Sequence, residues 1–474
     1  MMWKSEAIIK ATTGSFAGAP FEASSVSIDS RTLKSGAIYV ALKGERVDGH
    51  GYVKEALAAG AACAIVHQVP AGLNNDAPLI IVNDTYKALI DLANAARRRT
   101  KAKIIAVTGS VGKTGTKEAL RTVLASAGNV YATQGNFNNH IGLPLSLANL
   151  SVDADFCVLE MGMNHSGEIS FLSRIAKPDL AIITNIEAVH LEYFSGLEAI
   201  ADAKAEILDG MPQSGTMILN RDNLFYDRLL ARAQEHGIEN IPTFGVHPDA
   251  DCRLLNYAPA ESGSQIEANV CGTPITYHMG TIGQHWALTS LAILAASTAL
   301  KIDLANAAAT LEHFHEPDGR GRLHRVMREQ GAMTLIDDSY NASPTSVKAA
   351  IVKLAELHKG LGRGRKLAVL GDMLELGSAS VDLHKELLAT LTEQQVDKVY
   401  ATGLYMKQLY DLLPVKMQGA HTANSALLAS IVREAYVADD VVLVKGSHGS
   451  RMDIVRDALL APLHYNIREQ ADAL

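Results

Sequence analysis

At 474 residues the chain is too long for a single hydrophobic core, so two or three domains are expected. Its 48% hydrophobic content and formal charge of −8 describe a globular protein without the broad basic surface that nucleic-acid binding needs. The four cysteines, Cys63, Cys157, Cys252 and Cys271, are far apart with no CxxC pair, the pattern of reduced thiols in a cytoplasmic protein.

The N-terminal MMWKSEAIIK has no signal-peptide apolar segment. Residues 1–100 read as alternating short strands and helices: a strand over Ile38 to Leu42, a helix from Gly51 to Ala59 ended by Gly60, and a strand over Ala64 to Val66. Two polar clusters interrupt them, one running from Ser27 through Ser30 and Arg31, the other comprising Lys43-Gly44 and Asp48-Gly49-His50. Each is either turn chemistry with surface charge or part of a ligand site; Arg31 and His50 are residue types that grip an anionic diphosphate. The basic run Arg97 to Lys101 is expected to be a solvated linker.

The second unit, 101–317, opens with an apolar run, Ile104 to Val107, followed by TGSVGKTGTK, Thr108 to Lys117, and a helical pattern. A glycine-rich stretch between strand and helix is where phosphate loops sit. Gly109 and Gly112 let backbone N–H groups converge on a phosphate, the helix N-terminus adds partial positive charge, and Lys113 adds a full one. Thr114 supplies a hydroxyl for magnesium. The spacing is GxxGKT, shorter than the common GxxxxGK[ST] loop.

Near-continuous apolar runs follow at Phe156 to Leu159, Leu180 to Thr184 and Met217 to Leu219, as strands buried on both faces of a parallel sheet require. Ligands bind at the carboxyl ends of such strands. Glu160 and Asn185 end two of them and His190 lies in the next loop; Glu160 is the candidate magnesium-side carboxylate. Asn136, Asn138 and Asn139 lie among glycines, either as turn formers or as amides near a sugar or diphosphate. Lys204 falls on the apolar face of a helix expected over Leu197 to Asp209, with Ile200, Ile207 and Leu208. A lysine there either snorkels to water or is held inside, where burial lowers its pKa by up to ~3–5 units.

From Thr243 to Gly280 short alternating segments predict an antiparallel ribbon, and Trp286 to Leu300, interrupted by Thr289, Ser290, Ser297 and Thr298, predicts a buried core helix rather than a membrane span. A Pro/Gly cluster at 315–321 predicts a hinge. The third unit, 318–474, is another α/β succession, with strands at Thr334 to Ile336, Leu367 to Leu370, Val399 to Ala401 and Val441 to Val444, and polar clusters after them. No HExxH, zinc spacing or GxSxG elbow occurs, and the seventeen histidines are scattered, so no protein-ligated zinc is expected.

Taken together, SIDSR, GERVDGH, TGSVGKTGTK, GNFNNHIGLPLS, LEMGMNHSGEI, AKAEI, DDSYNASP, LGDMLELG and VKGS resemble, in order, the motifs of the Mur ligases, ATP-dependent amide-forming enzymes of peptidoglycan synthesis. The likeness is strongest to the member that joins D-alanyl-D-alanine to UDP-N-acetylmuramoyl-tripeptide. It implies three α/β domains: a small UDP-sugar domain (1–100), a central phosphate-loop domain with a mostly parallel sheet (101–317) and a Rossmann-like acceptor domain (318–474). It further implies ATP bound by Gly109, Ser110, Val111, Gly112, Lys113, Thr114 and Gly115 with Arg320, Tyr340 and Asn341. Two magnesium ions are implied at Thr114, Glu160, His190 and a carbamylated Lys204, with Lys113, Glu160, His190 and Lys204 catalytic. Ser30, Arg31, Asp48, His50, Asn138 and Asn139 are implied to bind the first substrate. A monomeric cytoplasmic enzyme without nucleic-acid or membrane partners is expected.

The chain departs from the family's pattern at GQHWALTSLA, where Trp286 and Thr289 replace asparagines, leaving Trp286 either to stack on adenine or to pack. It departs again at KGSH, with Arg451 shifted. The ligase that adds the third peptide residue usually carries DNPR, absent here, and folylpolyglutamate synthetase lacks a first domain of this kind. A non-catalytic paralogue is disfavoured because Lys113, Glu160, His190 and Lys204 are all present.

Overall fold

The computed structural model describes residues 3–73, 76–189, 191–260, 262–328 and 331–461. Three main sheets follow one another along the chain, each with its own helices and core, so the α/β architecture implied by the sequence motifs is the one found. The first has four parallel strands in sequence order, Ser25–Ser27, Ala37–Val40, Cys63–Val66 and Leu79–Ile81. Its two central strands are buried at every residue, as their unbroken apolar sequences require.

Helix Thr85–Arg99 leaves this sheet, with the Asp84 carboxylate accepting the N–H groups of Tyr86 and Lys87 at its start. The expected linker is therefore corrected: Arg97 to Arg99 form the last turn of this helix. Two of the side chains bind neighbouring structure, Arg97 donating to the Ala176 carbonyl at 2.7 Å and the Arg99 guanidinium lying 3.9 Å over the Trp3 ring. Cationic groups at a helix C-terminus also complement its dipole.

The central sheet has nine strands. Lys103–Thr108 lies in its interior between Leu180–Ile183 and Phe156–Glu160, parallel to both. Val130–Ala132 closes the far edge. Thr216–Asn220 and Thr243–Gly245 extend the parallel part on the other side, and Cys252–Ala260, Gly263–Val270 and Thr273–Met279 add the antiparallel ribbon read from the sequence. Helix Gln284–Ala299 packs on one face, buried at Trp286 and Ala287 and continuously from Ser290 to Ser297. The expected helix through Asp209 is α-helical over Leu197–Ala205 and tightens to a 3₁₀ turn at Glu206–Gly210.

The last sheet runs Arg322–Arg328, Gly331–Asp338, Val441–Lys445, Lys366–Gly371, Lys398–Thr402, Gln418–Thr422, parallel except for the first, antiparallel pair. Five strands of these sheets, Ser25–Ser27, Leu79–Ile81, Val130–Ala132, Arg322–Arg328 and Gln418–Thr422, were not expected. All are edge strands, whose sequences are too short or too polar to give the longer apolar run that marks a buried one. Among the described residues no helix is long and apolar enough to cross a membrane.

Candidate active site

The phosphate loop leaves Lys103–Thr108 at its carboxyl end, and its glycines are there for space. Gly109 has φ 146°, and a Cβ on it would fall 1.9 Å from the Thr184 Oγ1. Gly112, at φ 86°, turns the chain into helix Lys113–Leu124 and leaves the first helical N–H groups facing the loop. Ser110 fixes the loop from behind, its hydroxyl donating to the Glu187 carbonyl and accepting the Glu187 N–H. Lys113 curls over the loop, Nζ donating to the carbonyls of Gly109 and Ser110 at 2.7 and 3.3 Å. Burial lowers its pKa, opposed by the Glu160 charge and assisted by that of Arg320. These are carbonyl contacts that a phosphate would replace with stronger charge-assisted bonds.

Glu160 ends the neighbouring strand and is 3% exposed. Its Oε1 accepts from the Asn138 amide at 2.8 Å, while Oε2 is buried without a hydrogen-bond partner. A buried carboxylate oxygen left unpaired costs several kcal/mol, and a cation is the natural partner for it, so the donors fit magnesium. Lys204, on the adjoining helix, is 2% exposed. Burial, and then the charge of Lys113, hold its pKa well below the ordinary lysine value. It is thus held inside rather than snorkelling. His190 lies outside the described residues.

The third domain's strand ends meet this loop. The Arg320 guanidinium donates to the Thr114 hydroxyl at 3.3 Å and lies 4.1 Å over the Tyr340 ring. Lys445 donates to Asp338 at 2.7 Å and to the Asn341 carbonyl at 3.0 Å, holding the Asp338-Ser339-Tyr340-Asn341 turn. Thr345 donates to Glu187 at 2.7 Å. Together these walls enclose a cavity of about 1310 Å³. Ser110, Val111, Gly112, Lys113, Thr114, Gly115, Asn138, Asn139, Glu160, Arg320, Tyr340 and Asn341 all line it.

Ser30, Arg31, Asp48 and His50 are not part of that lining; Ser30 and Arg31 occupy a turn of the first domain, and Asp48 caps the 3₁₀ turn Gly49–Tyr52 that carries His50. Arg31 is exposed and paired with Asp29 at 2.7 Å. His50 is buried between Asp48, 2.7 Å from Nδ1, and the His67 N–H, which donates to Nε2 at 3.1 Å. Both ring nitrogens are therefore engaged within the protein. Asn139 uses its side-chain oxygen to accept the N–H groups of Ile141 and Gly142.

Trp286 packs: it is 6% exposed, 5.2 Å from the Phe314 ring, and its six-membered ring occupies the place of the missing Gly115 side chain. The sequence reading did not single out Thr345 and Glu187, which join the third domain to the loop behind the phosphate site, or Lys353. A short polar residue after the apolar-face pattern carries no local mark of its distant partner.

Residues 22–108, 107–297 and 321–448 match, respectively, the Mur ligase family catalytic domain, the Mur ligase middle domain and the Mur ligase glutamate ligase domain. The UDP-N-acetylmuramoyl-tripeptide–D-alanyl-D-alanine ligase of Rickettsia prowazekii is 36% identical over 91% of this chain and 94% of its own. That of Bacillus subtilis is 35% identical over 92% and 93%. Among solved structures, MurF from Acinetobacter baumannii superposes with a TM-score of 0.82 at 28% identity, covering 97% of this chain and 98% of that one. The MurF ligase of Thermotoga maritima in complex with ADP gives 0.76 at 28% identity, over 95% and 98%. The chain belongs to the Mur ligase family.

Proposed function

We propose that this ATP-dependent ligase joins D-alanyl-D-alanine to UDP-N-acetylmuramoyl-tripeptide, giving UDP-N-acetylmuramoyl-pentapeptide, ADP and phosphate. The observation that carries the reading is the single cavity in which the phosphate loop, Glu160 and the strand ends of the third domain face one another. The relatives named for this reaction, similar over nearly the whole chain, support the choice of substrates. In this reading residues 1–100 hold the UDP-sugar through Ser30, Arg31, Asp48 and His50, residues 101–317 hold ATP, and residues 318–474 hold the dipeptide and close on both. Binding there requires Arg31 to exchange its pairing with Asp29 for the ligand, and His50 to give up its bond to Asp48 or to the His67 N–H.

A peptide carboxylate is a poor electrophile, so it first attacks the γ-phosphorus of ATP, forming an acyl phosphate and releasing ADP. Lys113 and Arg320 stand where two anions must approach and offset their repulsion. The neutral amine of the dipeptide then attacks the acyl carbon, a tetrahedral oxyanion forms, and phosphate leaves as the C–N bond is completed. Thr114 and Glu160 would hold one magnesium ion, and His190 with Lys204 a second; bound there, the metal neutralises charge on the transferring phosphoryl group. The lowered pKa of Lys204 favours its neutral amine, the form that adds carbon dioxide, and the resulting carbamate is a carboxylate able to ligate metal. The enzyme acts as a cytoplasmic monomer.

Phosphate release from ATP is expected only when both the UDP-linked tripeptide and D-alanyl-D-alanine are supplied. Equal turnover with diaminopimelate or glutamate in place of the dipeptide would overturn the assignment.

A further inference from the structure

Between the antiparallel ribbon and helix Gln284–Ala299 the chain passes through Thr281, Ile282 and Gly283, and each is held by a different neighbour. Ser264 of the ribbon donates to the Thr281 carbonyl at 2.8 Å. Ile282, 4% exposed, sits in the core of the third domain with Ile336, Val347, Ile351 and Leu354. The Gly283 N–H donates to the Tyr257 hydroxyl at 2.8 Å, and that hydroxyl donates to Glu356 at 3.2 Å. Glu356 belongs to helix Pro344–Leu361 of the third domain.

Gly283 has φ 128°, a conformation that favours glycine, and no side chain caps the helix it begins. Its carbonyl accepts the Trp286 N–H at 2.9 Å. Turning the Gly283 peptide would therefore displace the first turn of the helix; His285 and Trp286 on that turn line the cavity, as does Thr289 one turn on, whose hydroxyl donates to the His285 carbonyl at 2.9 Å.

We infer that Tyr257 is a positioning residue for nucleotide binding: docked against Glu356, it holds the Gly283 peptide and so fixes the cavity wall of His285, Trp286 and Thr289. The relay Glu356, Tyr257, Gly283 is complete only when the helix of the third domain is in place, so docking of that domain and the shape of the nucleotide wall are linked. It rests on reading this cavity as the nucleotide site, and it makes Tyr257 act through Gly283 rather than on the ligand.

The test is ADP affinity by calorimetry, which needs no turnover, with steady-state kinetics beside it. Tyr257→Phe removes both hydrogen bonds of the relay, and loss of the one that holds Gly283 is expected to weaken ADP about threefold to tenfold and raise the ATP KM equally, with kcat at saturating ATP near that of the parent. Glu356→Leu should give the same loss, Glu356→Gln should stay near the parent because its amide oxygen still accepts, and the Tyr257→Phe/Glu356→Leu pair should lose no more than either single change. Unchanged ADP affinity in Tyr257→Phe, or additive losses in the pair, overturns the inference. Should Tyr257→Phe melt early, Glu356→Leu carries the same test. ADP binding without ligase turnover would count against the proposed reaction and leave the relay intact.

Discussion

Asn138 donates to one oxygen of Glu160 at 2.8 Å, and the other oxygen is buried with no partner. The amide holds the carboxylate in one orientation, and Glu160 lines the cavity beside the phosphate loop where charge must be neutralised. Glu160→Gln replaces an anionic oxygen with an amide at nearly the same volume. Several kcal/mol of charge stabilisation would be lost, so turnover is expected to fall about a hundredfold or more, with a higher magnesium concentration at half-maximal rate. An unchanged magnesium titration would remove Glu160 from the ligand set.

Lys204 is buried beside Lys113, and both effects lower its pKa. Between the lowered folded pKa and the unfolded value the unfolded lysine binds a proton that the folded one does not, so in protein stripped of carbon dioxide stability rises with pH toward the unfolded value near about 10.4 and is lost as pH falls toward the folded pKa. Lys204→Met should flatten that slope in melting curves. In Lys204→Ala turnover should vanish and return in part with small carboxylates. Carbon-13 bicarbonate should give a carbamate resonance in the parent and none in the variant; full activity in Lys204→Ala excludes the carbamate.

What was legible in the sequence is what a single segment determines. The phosphate loop is local, since its glycines and Lys113 lie between an apolar run and a helix, and Glu160 follows from being the first polar residue after a buried strand. Lys204 was legible as an apolar-face residue, while its state depends on Lys113 from another element. The contacts that complete the cavity were not legible. Arg320 reaches Thr114 across 206 residues and Thr345 reaches Glu187 across 158, and nothing near either residue encodes its partner. Arg97 and Arg99 misled because charge suggests solvent, yet these side chains find a carbonyl and an aromatic face.

Gly115 lies inside a helix, where alanine is intrinsically better by about 1 kcal/mol. Its added Cβ would stand 2.5 Å from the Trp286 ring. If packing governs, Gly115→Ala destabilises by about 1–3 kcal/mol and weakens ADP binding, and Trp286→Leu in the same chain restores part of both. A denaturation midpoint that rises in Gly115→Ala would show that helix propensity wins and that Trp286 yields freely.

Glu316 and Lys353 form a buried ion pair at 2.6 Å, their side chains 6% and 3% exposed. Lys353 also donates to the Gly321 carbonyl at 2.8 Å, so one ammonium joins helix Pro344–Leu361 to both ends of the turn that enters the third domain. Removing one member leaves a buried charge uncompensated, whereas removing both leaves a packing defect only. Lys353→Met is therefore expected to cost about 3–5 kcal/mol in denaturant unfolding, and the Glu316→Gln/Lys353→Met pair to recover most of that loss. Because Glu316 precedes the Pro317 turn and Arg320 follows it, the single variant should also loosen Arg320 from Thr114 and raise the ATP KM. A double variant no more stable than Lys353→Met would show that the pair does not compensate within this seam.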